Sequence, residues 1–265
     1  MEAKFVKYQG AGNDFILFDD RQRTLAPLLS QSKIARLCDR RFGVGADGLM
    51  LLAGADEGFD FRMIYYNADG RESTMCGNGG RCIVHFAHRV GLDRSRYRFV
   101  AIDGPHDAAI LADGTVALGM NPVRTVRQLD GDLVLDTGSP HYLRFVTSLE
   151  EVDVVTTGRS IRRSAAFAQD GINVNFVQAT AEDELLIATY ERGVEDETLA
   201  CGTGVTAAAV GHLFRTGAQT ENSFHVRVRA RGGDLAVTGR REGDAFDDLC
   251  LIGPATYVFS GTVTI

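Results

Sequence analysis

Two stretches of this 265-residue chain, Met75-Cys76-Gly77-Asn78-Gly79 and Ala200-Cys201-Gly202-Thr203-Gly204, decide the fold. Each follows a strand pattern and a polar loop, and each opens a run of helical periodicity, which predicts helices over Gly77–Val90 and Gly202–Arg215. The two cysteines lie roughly half a chain apart. A strand, loop and helix repeated at this separation indicate an internal duplication, and we expect two similar domains that face each other across a cleft.

The remaining pattern predicts a sheet-rich fold with a boundary near the middle of the chain. Apolar and polar residues alternate in short runs, such as Phe59 to Tyr65, and the Asp-Gly pairs at 113–114 and 130–131 are typical of hairpin turns. Much of the sheet should therefore be antiparallel. One further helix is predicted over Ser32–Arg41. Asn121-Pro122 interrupts a strand pattern, so we expect one domain over 1–120, which carries the first cysteine unit, and a second over 121–255, which carries the other.

Composition and charge restrict the class of protein. With 45% hydrophobic and 24% charged residues the chain is typical of a soluble globular protein, and its net charge of −7 without a basic block argues against a nucleic-acid partner. No apolar run reaches the ~18 residues of a membrane span, and the N-terminus has no signal-peptide pattern, so we expect a cytoplasmic protein without a membrane partner. The five cysteines include no Cys-x-x-Cys pair, which argues against a disulfide framework and a metal site.

The Cys-Gly-x-Gly units indicate acid/base chemistry. A cysteine at the first turn of a helix lies where unpaired backbone N–H groups and the positive end of the helix dipole favour a thiolate. The flanking glycines let the backbone approach a ligand, and the amides are suited to bind a carboxylate. One thiol in each domain would address opposite faces of a single carbon, one as thiolate base and the other as thiol acid, which inverts a stereocentre.

Other candidate motifs favour structural roles. Cys38, Cys82 and Cys250 lie in apolar patterns and are predicted to pack in the core. The segment Gly43-Val44-Gly45-Ala46-Asp47-Gly48 matches the Gly-x-Gly-x-x-Gly of dinucleotide-binding proteins, but it follows a helical pattern rather than a strand, so nucleotide binding is not expected. All three lysines lie within the first 33 residues, outside the cysteine units, which argues against a pyridoxal phosphate Schiff base.

Together with the cysteine units, further motifs resemble the diaminopimelate epimerase family over nearly the whole chain. They are Gly10-Ala11-Gly12-Asn13-Asp14-Phe15, Asn67-Ala68-Asp69-Gly70, Gly138-Ser139-Pro140-His141, Gly171-Ile172-Asn173-Val174-Asn175-Phe176, Tyr190-Glu191-Arg192-Gly193 and Gly253-Pro254-Ala255. The resemblance implies an α+β fold of two pseudo-symmetric domains, each a mostly antiparallel curled sheet around a central helix. It also implies that the C-terminal strand, at 256–265, returns to the first domain.

The resemblance further implies the roles of individual residues. Cys76 and Cys201 would be the acid/base thiols at the Cα of LL- and meso-diaminopimelate, in lysine and peptidoglycan precursor biosynthesis, with no cofactor and no metal. His141 and Glu191 would support them, and Arg192 would hold the distal carboxylate in bidentate geometry. The implied substrate contacts are Asn13, Asn67, Gly77, Asn78, Asn173, Glu191, Arg192, Gly202 and Thr203. The backbone amides of residues 77, 78, 202 and 203 would bind the reacting carboxylate.

Two positions depart from the pattern of many family members. Ser139 stands where many have an asparagine, so one substrate hydrogen bond is expected to be lost or rerouted. Gly48 stands where many have a glutamine, so recognition of the distal end of the substrate is expected to differ there.

Three alternatives remain at this point. A proline or hydroxyproline racemase would share both thiols but not a pocket for a second amino-acid end. A redox-sensing protein would use one low-pKa cysteine, but this chain lacks the Cys-x-x-Cys pair typical of such proteins. A binding protein without catalysis would not need both cysteines. We expect a small-molecule amino-acid substrate, and the sequence is compatible with a homodimer.

Overall fold

The computed structural model describes residues 1–55, 57–217 and 223–265, and strands predominate among them. The α-helices are α1 (Gln31–Cys38), α2 (Gly77–Arg89), α3 (Val154–Arg162) and α4 (Gly202–Thr216). The strands are β1 (Glu2–Gly10), β2 (Asn13–Asp20), β3 (Gly48–Ala53), β4 (Phe61–Asn67), β5 (Glu72–Ser73), β6 (Arg96–Ala101), β7 (Gly104–Ile110), β8 (Val116–Gly119), β9 (Val126–Leu129), β10 (Asp132–Asp136), β11 (Pro140–Phe145), β12 (Asn173–Ala181), β13 (Glu184–Glu191), β14 (Asp196–Thr198), β15 (Phe224–Ala230), β16 (Gly233–Glu242), β17 (Ala245–Gly253) and β18 (Thr256–Thr264). The predicted α+β class is confirmed.

The chain forms two compact units. The N-terminal unit comprises Met1–Leu118 together with Gly253–Ile265, and the C-terminal unit comprises Gly119–Ile252. Across the part of the chain that the structure describes, no helix is both long and apolar enough to cross a membrane.

The N-terminal unit is a mixed sheet in which most neighbours are antiparallel. The strands pair in the order β18, β1, β2, β3, β4, β6, β7 and β8, and the short β5 pairs with β4. Among these described strands, β2 with β3 and β4 with β6 are the parallel pairs. Each parallel pair is joined by a segment that contains a helix, α1 in the first case and α2 in the second, as parallel neighbours require.

The C-terminal unit repeats this arrangement. Its strands pair in the order β9, β10, β11, β12, β13, β15, β16 and β17, and the short β14 pairs with β13. The parallel pairs are β11 with β12 and β13 with β15, and α3 and α4 lie within their connections. The duplication predicted from the cysteine units is therefore visible as the same pairing order in both units.

In each unit one helix packs against several strands. Helix α2 contacts β1, β2, β3 and β7, and α4 contacts β10, β11, β12, β13, β15 and β16. Most residues of both helices are buried, which is typical of a helix inside a sheet rather than on its surface. Helix α2 ends one residue before its predicted limit and α4 one residue after, and Gly217 follows α4 in the left-handed conformation with φ 64°.

The structure differs from the sequence-based prediction at helices α1 and α3. Helix α1 ends at Cys38 rather than Arg41, because the Asp39 carboxylate accepts hydrogen bonds from the backbone N–H groups of Arg41 and Phe42 and turns the chain. Helix α3 was not predicted, although Asp153 caps it by accepting from the N–H of Thr156 at 2.9 Å.

Candidate active site

Cys76 and Cys201 occupy equivalent positions at the starts of α2 and α4. Each is the N-cap residue with extended backbone angles, and neither caps its helix with its side chain. The cysteine carbonyls accept the first helical bonds, from Gly80 at 2.7 Å and Val205 at 2.9 Å. The first-turn amides of each helix precede these first helical bonds and point beyond the helix start, where they are suited to an anion.

In the N-terminal unit, Asn13 connects the cysteine to the helix. The Cys76 thiol donates to Asn13 Oδ1 at 3.7 Å, and Asn78 Nδ2 donates to the same oxygen at 3.4 Å. Asn13 Nδ2 donates to Asp47 Oδ2 at 2.7 Å, which fixes the orientation of the amide. The predicted contacts Asn13, Gly77 and Asn78 thus lie together with Cys76.

An ion network stabilises this orientation. Arg40 donates to Asp14 Oδ1 and to Asp47 Oδ1, each at 2.7 Å. Lys7 pairs with Asp14 at 2.8 Å and also donates to the Gly45 carbonyl. Although burial raises the pKa of Asp14, hydrogen bonds from Arg40 and Lys7 hold it well below its ordinary value of 3.8. The Asp14 carboxylate therefore remains charged at neutral pH.

Arg81 is an unforeseen part of the site. Its side chain is fully buried in α2 and donates to the Gly77 carbonyl at 3.2 Å, to Asn78 Oδ1 at 2.9 Å and to the Pro254 carbonyl at 3.4 Å. Burial lowers the pKa of Arg81, and its attraction to Cys82 and Cys76 opposes this effect. A cation that is held by the first turn of the helix stabilises a thiolate nearby.

Asn67 and Gly48 lie opposite each other on neighbouring strands. Asn67 is exposed at the end of β4 and pairs in register with Gly48 at the start of β3. A Cβ atom at Gly48 would lie 2.5 Å from Tyr65 Cε2 and 2.7 Å from the Tyr66 carbonyl oxygen. The space that a side chain at position 48 would enter is therefore filled by the ring of Tyr65.

In the C-terminal unit, Cys201 is buried next to Thr203. The Cys201 sulfur lies 3.4 Å from Thr203 Oγ1, and Thr137 donates to the Thr203 carbonyl at 2.9 Å. A Cβ atom at Gly204 would lie 3.3 Å from Cys201 Cβ, 3.4 Å from His141 Cε1 and 2.5 Å from Asn175 Oδ1. Only glycine at this position lets the first turn of α4 approach Asn175 so closely.

His141 is fully buried and belongs to a hydrogen-bonded group. Asn175 Nδ2 lies 3.1 Å from His141 Nδ1, and Thr189 donates to Asn175 Oδ1 at 3.0 Å. Burial lowers the pKa of His141 to about 3, and the positive charge of Arg192 acts in the same direction. His141 is therefore neutral at physiological pH. Sequence reasoning missed Asn175 and Thr189, although Asn175 follows Asn173 at the spacing that places both on one face of a strand.

The predicted contacts Asn173, Glu191 and Arg192 meet at the ends of β12 and β13. Asn173 Oδ1 accepts from the Arg192 backbone at 2.9 Å, and Asn173 Nδ2 donates to Ser139 Oγ at 2.9 Å. Arg192 is exposed and donates from Nη1 to the Asp170 carbonyl at 2.9 Å, while Glu191 Oε2 accepts from Thr198 at 2.9 Å. Ser139 therefore orients Asn173.

The three remaining cysteines lie away from the helix starts. Cys38 and Cys82 are buried and Cys250 is half-buried. Burial raises the pKa of Cys38 and of Cys82 to about 12 and raises that of Cys250 as well. These thiols stay protonated at neutral pH.

The Gly-x-Gly-x-x-Gly match lies between a helix and a strand. The N–H groups of Val44 and Gly45 donate back to the Leu37 carbonyl at the end of α1, and β3 begins at Gly48. Dinucleotide sites need the opposite order, a strand followed by a helix whose start binds the pyrophosphate.

Comparison with solved structures supports the fold. The chain aligns with a PhzF-family phenazine biosynthesis protein of Bacillus anthracis at a TM-score of 0.77, with 13% identity and 100% of both chains covered. It aligns with a hydroxyproline epimerase of Agrobacterium vitis at a TM-score of 0.68, with 16% identity over 99% of this chain and 91% of the other. At these identities the likeness concerns the fold alone.

Comparison of sequences identifies the family. The family model described as diaminopimelate epimerase matches residues 5–126 and 133–258. The diaminopimelate epimerase of Flavobacterium psychrophilum is 46% identical over 98% of this chain and 100% of its own length. That of Chlorobaculum tepidum is 46% identical over 97% of this chain and 99% of its own. With matches of this extent, the chain belongs to the diaminopimelate epimerase family.

Proposed function

We propose that this protein interconverts LL- and meso-diaminopimelate by two-thiol acid/base catalysis at the α-carbon. The observation that carries the proposal is the placement of Cys76 and Cys201 as N-cap residues of equivalent helices in two units with the same strand order. A single cysteine at a helix start has many structural explanations, whereas a matched pair is what a stereochemical inversion requires.

The proton transfers balance without an external acid or base. One thiolate removes the Cα proton from one face of the substrate, and the other thiol delivers its proton to the opposite face of the carbanion. The first cysteine ends as a thiol and the second as a thiolate. The reverse reaction uses the same pair with the roles exchanged, so the two groups titrate as one coupled system.

The helix starts supply the electrostatic part of the reaction. Backbone amides of Gly77 and Asn78, and of Gly202 and Thr203, would bind the α-carboxylate at the positive ends of α2 and α4. An anion held there stabilises the negative charge that develops when the Cα proton leaves. This arrangement needs no pyridoxal phosphate, and the three lysines give no Schiff-base candidate in these motifs.

The distal end of the substrate would be bound by polar side chains. Arg192 carries a positive charge beside Asn173 and Glu191, which suits a carboxylate next to an amino group. Asn67 at the end of β4 is the corresponding candidate in the N-terminal unit. A substrate with an amino-acid group at each end, such as diaminopimelate, would use all of these groups, whereas proline would use few. We place this reaction in the cytoplasm, where it would supply lysine and peptidoglycan precursors.

Solvent isotope exchange tests the proposal. Incubation of the purified protein with LL-diaminopimelate in D₂O should incorporate deuterium at Cα and form the meso isomer, while proline under the same conditions should remain unlabelled. Exchange into proline but not into diaminopimelate would assign the protein to the racemase alternative. Absence of exchange into either compound would contradict the two-thiol mechanism.

A further inference from the structure

The buried group around His141 determines the orientation of one amide. Asn175 Nδ2 lies 3.1 Å from the Tyr142 carbonyl oxygen and 3.1 Å from His141 Nδ1. A carbonyl oxygen only accepts hydrogen bonds, so the amide nitrogen must face it. Thr189 Oγ1 donates to Asn175 Oδ1 at 3.0 Å and supports the same orientation from the other side.

The orientation of Asn175 determines the tautomer of His141. Because Asn175 presents an N–H donor to His141 Nδ1, that ring nitrogen must carry a lone pair, and the proton of the neutral ring lies on Nε2. Protonation of the ring would place two donors face to face. Burial also opposes the charged form and lowers the pKa of His141 to about 3, and Arg192 acts in the same direction.

The His141 ring borders the same space as the reactive cysteine of its unit. His141 Cε1, the atom between the two ring nitrogens, and Cys201 Cβ border the same small space next to Gly204. His141 Nε2 is buried and has no hydrogen-bond partner among residues 1–55, 57–217 and 223–265. Among the described residues, the charge of Arg192 acts on His141, and the Cys201 side chain borders the same space as the ring. A buried N–H donor with no protein acceptor is costly unless an acceptor forms during function.

We propose that Asn175, held by Thr189, is a positioning residue that fixes His141 as the neutral Nε2–H tautomer, so that His141 offers the Cys201 thiolate a hydrogen-bond donor instead of acting as its base. This inference rests on the proposed function, in which Cys201 alternates between thiol and thiolate.

A neutral donor suits a group that must change charge in every turnover. An imidazolium next to the sulfur would form an ion pair and hold Cys201 permanently as a thiolate, whereas a base at Nε2 would take the proton that the substrate needs. A fixed N–H donor stabilises the thiolate by a hydrogen bond and leaves the proton on the cysteine in the other half of the cycle.

The tautomer is directly measurable in the intact protein. Histidine labelled with ¹⁵N gives distinct long-range ¹H–¹⁵N patterns for the two neutral tautomers and for the charged ring, and His141→Gln identifies the signals of this residue. We expect an Nε2–H ring that does not titrate from about pH 5 to about pH 8, where an ordinary histidine does. A proton on Nδ1, or a charged ring at neutral pH, would overturn the proposal.

Variants connect the tautomer to turnover. Asn175→Asp keeps the shape but places a carboxylate oxygen at Nδ1, so the ring should move to the Nδ1–H or the charged form, with kcat about tenfold to hundredfold lower and a shifted pH profile. Thr189→Val should have the same effect in weaker form, and the conservative Thr189→Ser, which retains the donor, should keep the native tautomer.

The outcomes separate this inference from the proposed function. If Asn175→Asp moves the proton to Nδ1 while kcat and its pH profile stay unchanged, the positioning role is wrong even though the enzyme is an epimerase. If the wild-type protein exchanges no deuterium into diaminopimelate, the proposed function fails, whatever tautomer is observed. Unfolding measurements on each variant, with His212→Gln as a control at another buried histidine, distinguish a loss of folding from a loss of positioning.

Discussion

Cys76 and Cys201 begin equivalent helices, but the side chains that follow them in the first turns differ in charge. The residue five positions after each cysteine bonds to the same backbone group: Arg81 donates to the Gly77 carbonyl at 3.2 Å, and Thr206 donates to the Gly202 carbonyl at 3.1 Å. One of these side chains is a buried cation and the other is a neutral hydroxyl. The fold therefore provides two copies of one helix start, and the sequence then gives each copy its own electrostatic surroundings.

The side chains next to the two cysteines also differ, with charged residues behind one and neutral residues behind the other. In the N-terminal unit, Asn13 faces Cys76 and is held by the charged residues Asp47 and Arg40. In the C-terminal unit, the neutral His141 lies next to Cys201 and is held by the amide of Asn175. A duplicated fold thus does not give the two thiols identical surroundings.

The largest effect is expected at the thiols themselves. Cys76→Ala and Cys201→Ala should each lower epimerisation about a thousandfold or more in both directions, because in the proposed mechanism every turnover uses one thiol as base and the other as acid. The kcat/KM of the wild type should give a bell-shaped pH profile that belongs to the coupled pair. Steady-state rates from both isomers measure this. Full activity in either variant would show that the two helix starts are not functionally paired.

Cys250→Ala is the control for this pair. It should cost about 1–3 kcal/mol of stability at most, since its side chain is half-buried, without a comparable loss of turnover.

The second comparison is between Arg81 and Thr206. Arg81→Met removes the buried hydrogen bonds that Arg81 donates to Asn78 Oδ1 and to the Pro254 carbonyl, so we expect a loss of about 2–4 kcal/mol in the free energy of unfolding. Thr206→Val removes one hydroxyl bond to a carbonyl and should cost about 1 kcal/mol. Urea unfolding of both variants measures the difference. Equal costs would mean that the buried charge adds nothing to the N-terminal helix start.

These examples also show how far the sequence alone leads. The Cys-Gly-x-Gly units and the Asp-Gly turns predict both central helices and the hairpins at β7–β8 and β9–β10, because each depends on residues that are close in the chain. In the sequence alone, Arg81 fits the polar side of an amphipathic helix. Its hydrogen bond to the Pro254 carbonyl depends on the fold, because the two residues are distant in the chain.

The group around His141 could not be predicted for the same reason. Asn175 is opposite Thr189 in the register of β12 and β13, and it reaches His141 on the parallel strand β11. Strand register between segments that are distant in sequence depends on tertiary packing, which a single sequence does not reveal. The residue types were visible, but their neighbours were not.

His141 and Asp14 contribute to stability over different ranges of pH. The pKa of His141 is about 3 in the folded protein and 6.5 is its ordinary value, so the unfolded chain binds more protons between these values. Its contribution to stability is complete above pH 6.5 and decreases as the pH falls, by about 2 kcal/mol at pH 5. The pKa of Asp14 is lowered from 3.8, so its contribution is complete above that value and is lost only at lower pH.

Urea unfolding at pH 7 and pH 5 shows which of the two residues causes the loss of stability in this range. His141→Gln should remove most of the difference between the two pH values, and Asp14→Asn should leave it unchanged. The reverse result would assign the acid sensitivity of this range to the ion network behind Asn13.

The smallest effect is expected at the glycines three positions after each cysteine. A Cβ atom at Gly204 would lie 2.5 Å from Asn175 Oδ1, a buried atom that Thr189 holds in place, whereas a Cβ atom at Gly79 would lie 3.1 Å from the terminal methyl of Met50, which can move. Because alanine is favoured over glycine inside a helix by about 1 kcal/mol, Gly79→Ala should be nearly neutral, and Gly204→Ala should cost about 1–3 kcal/mol. Gly204→Ala should also displace Asn175 and thereby change the tautomer of His141, which the ¹⁵N spectrum would reveal. If both alanines were equally tolerated and the spectrum of His141 were unchanged, the close approach of α4 to Asn175 would not matter for positioning, and the two helix starts would be more alike than their surroundings indicate.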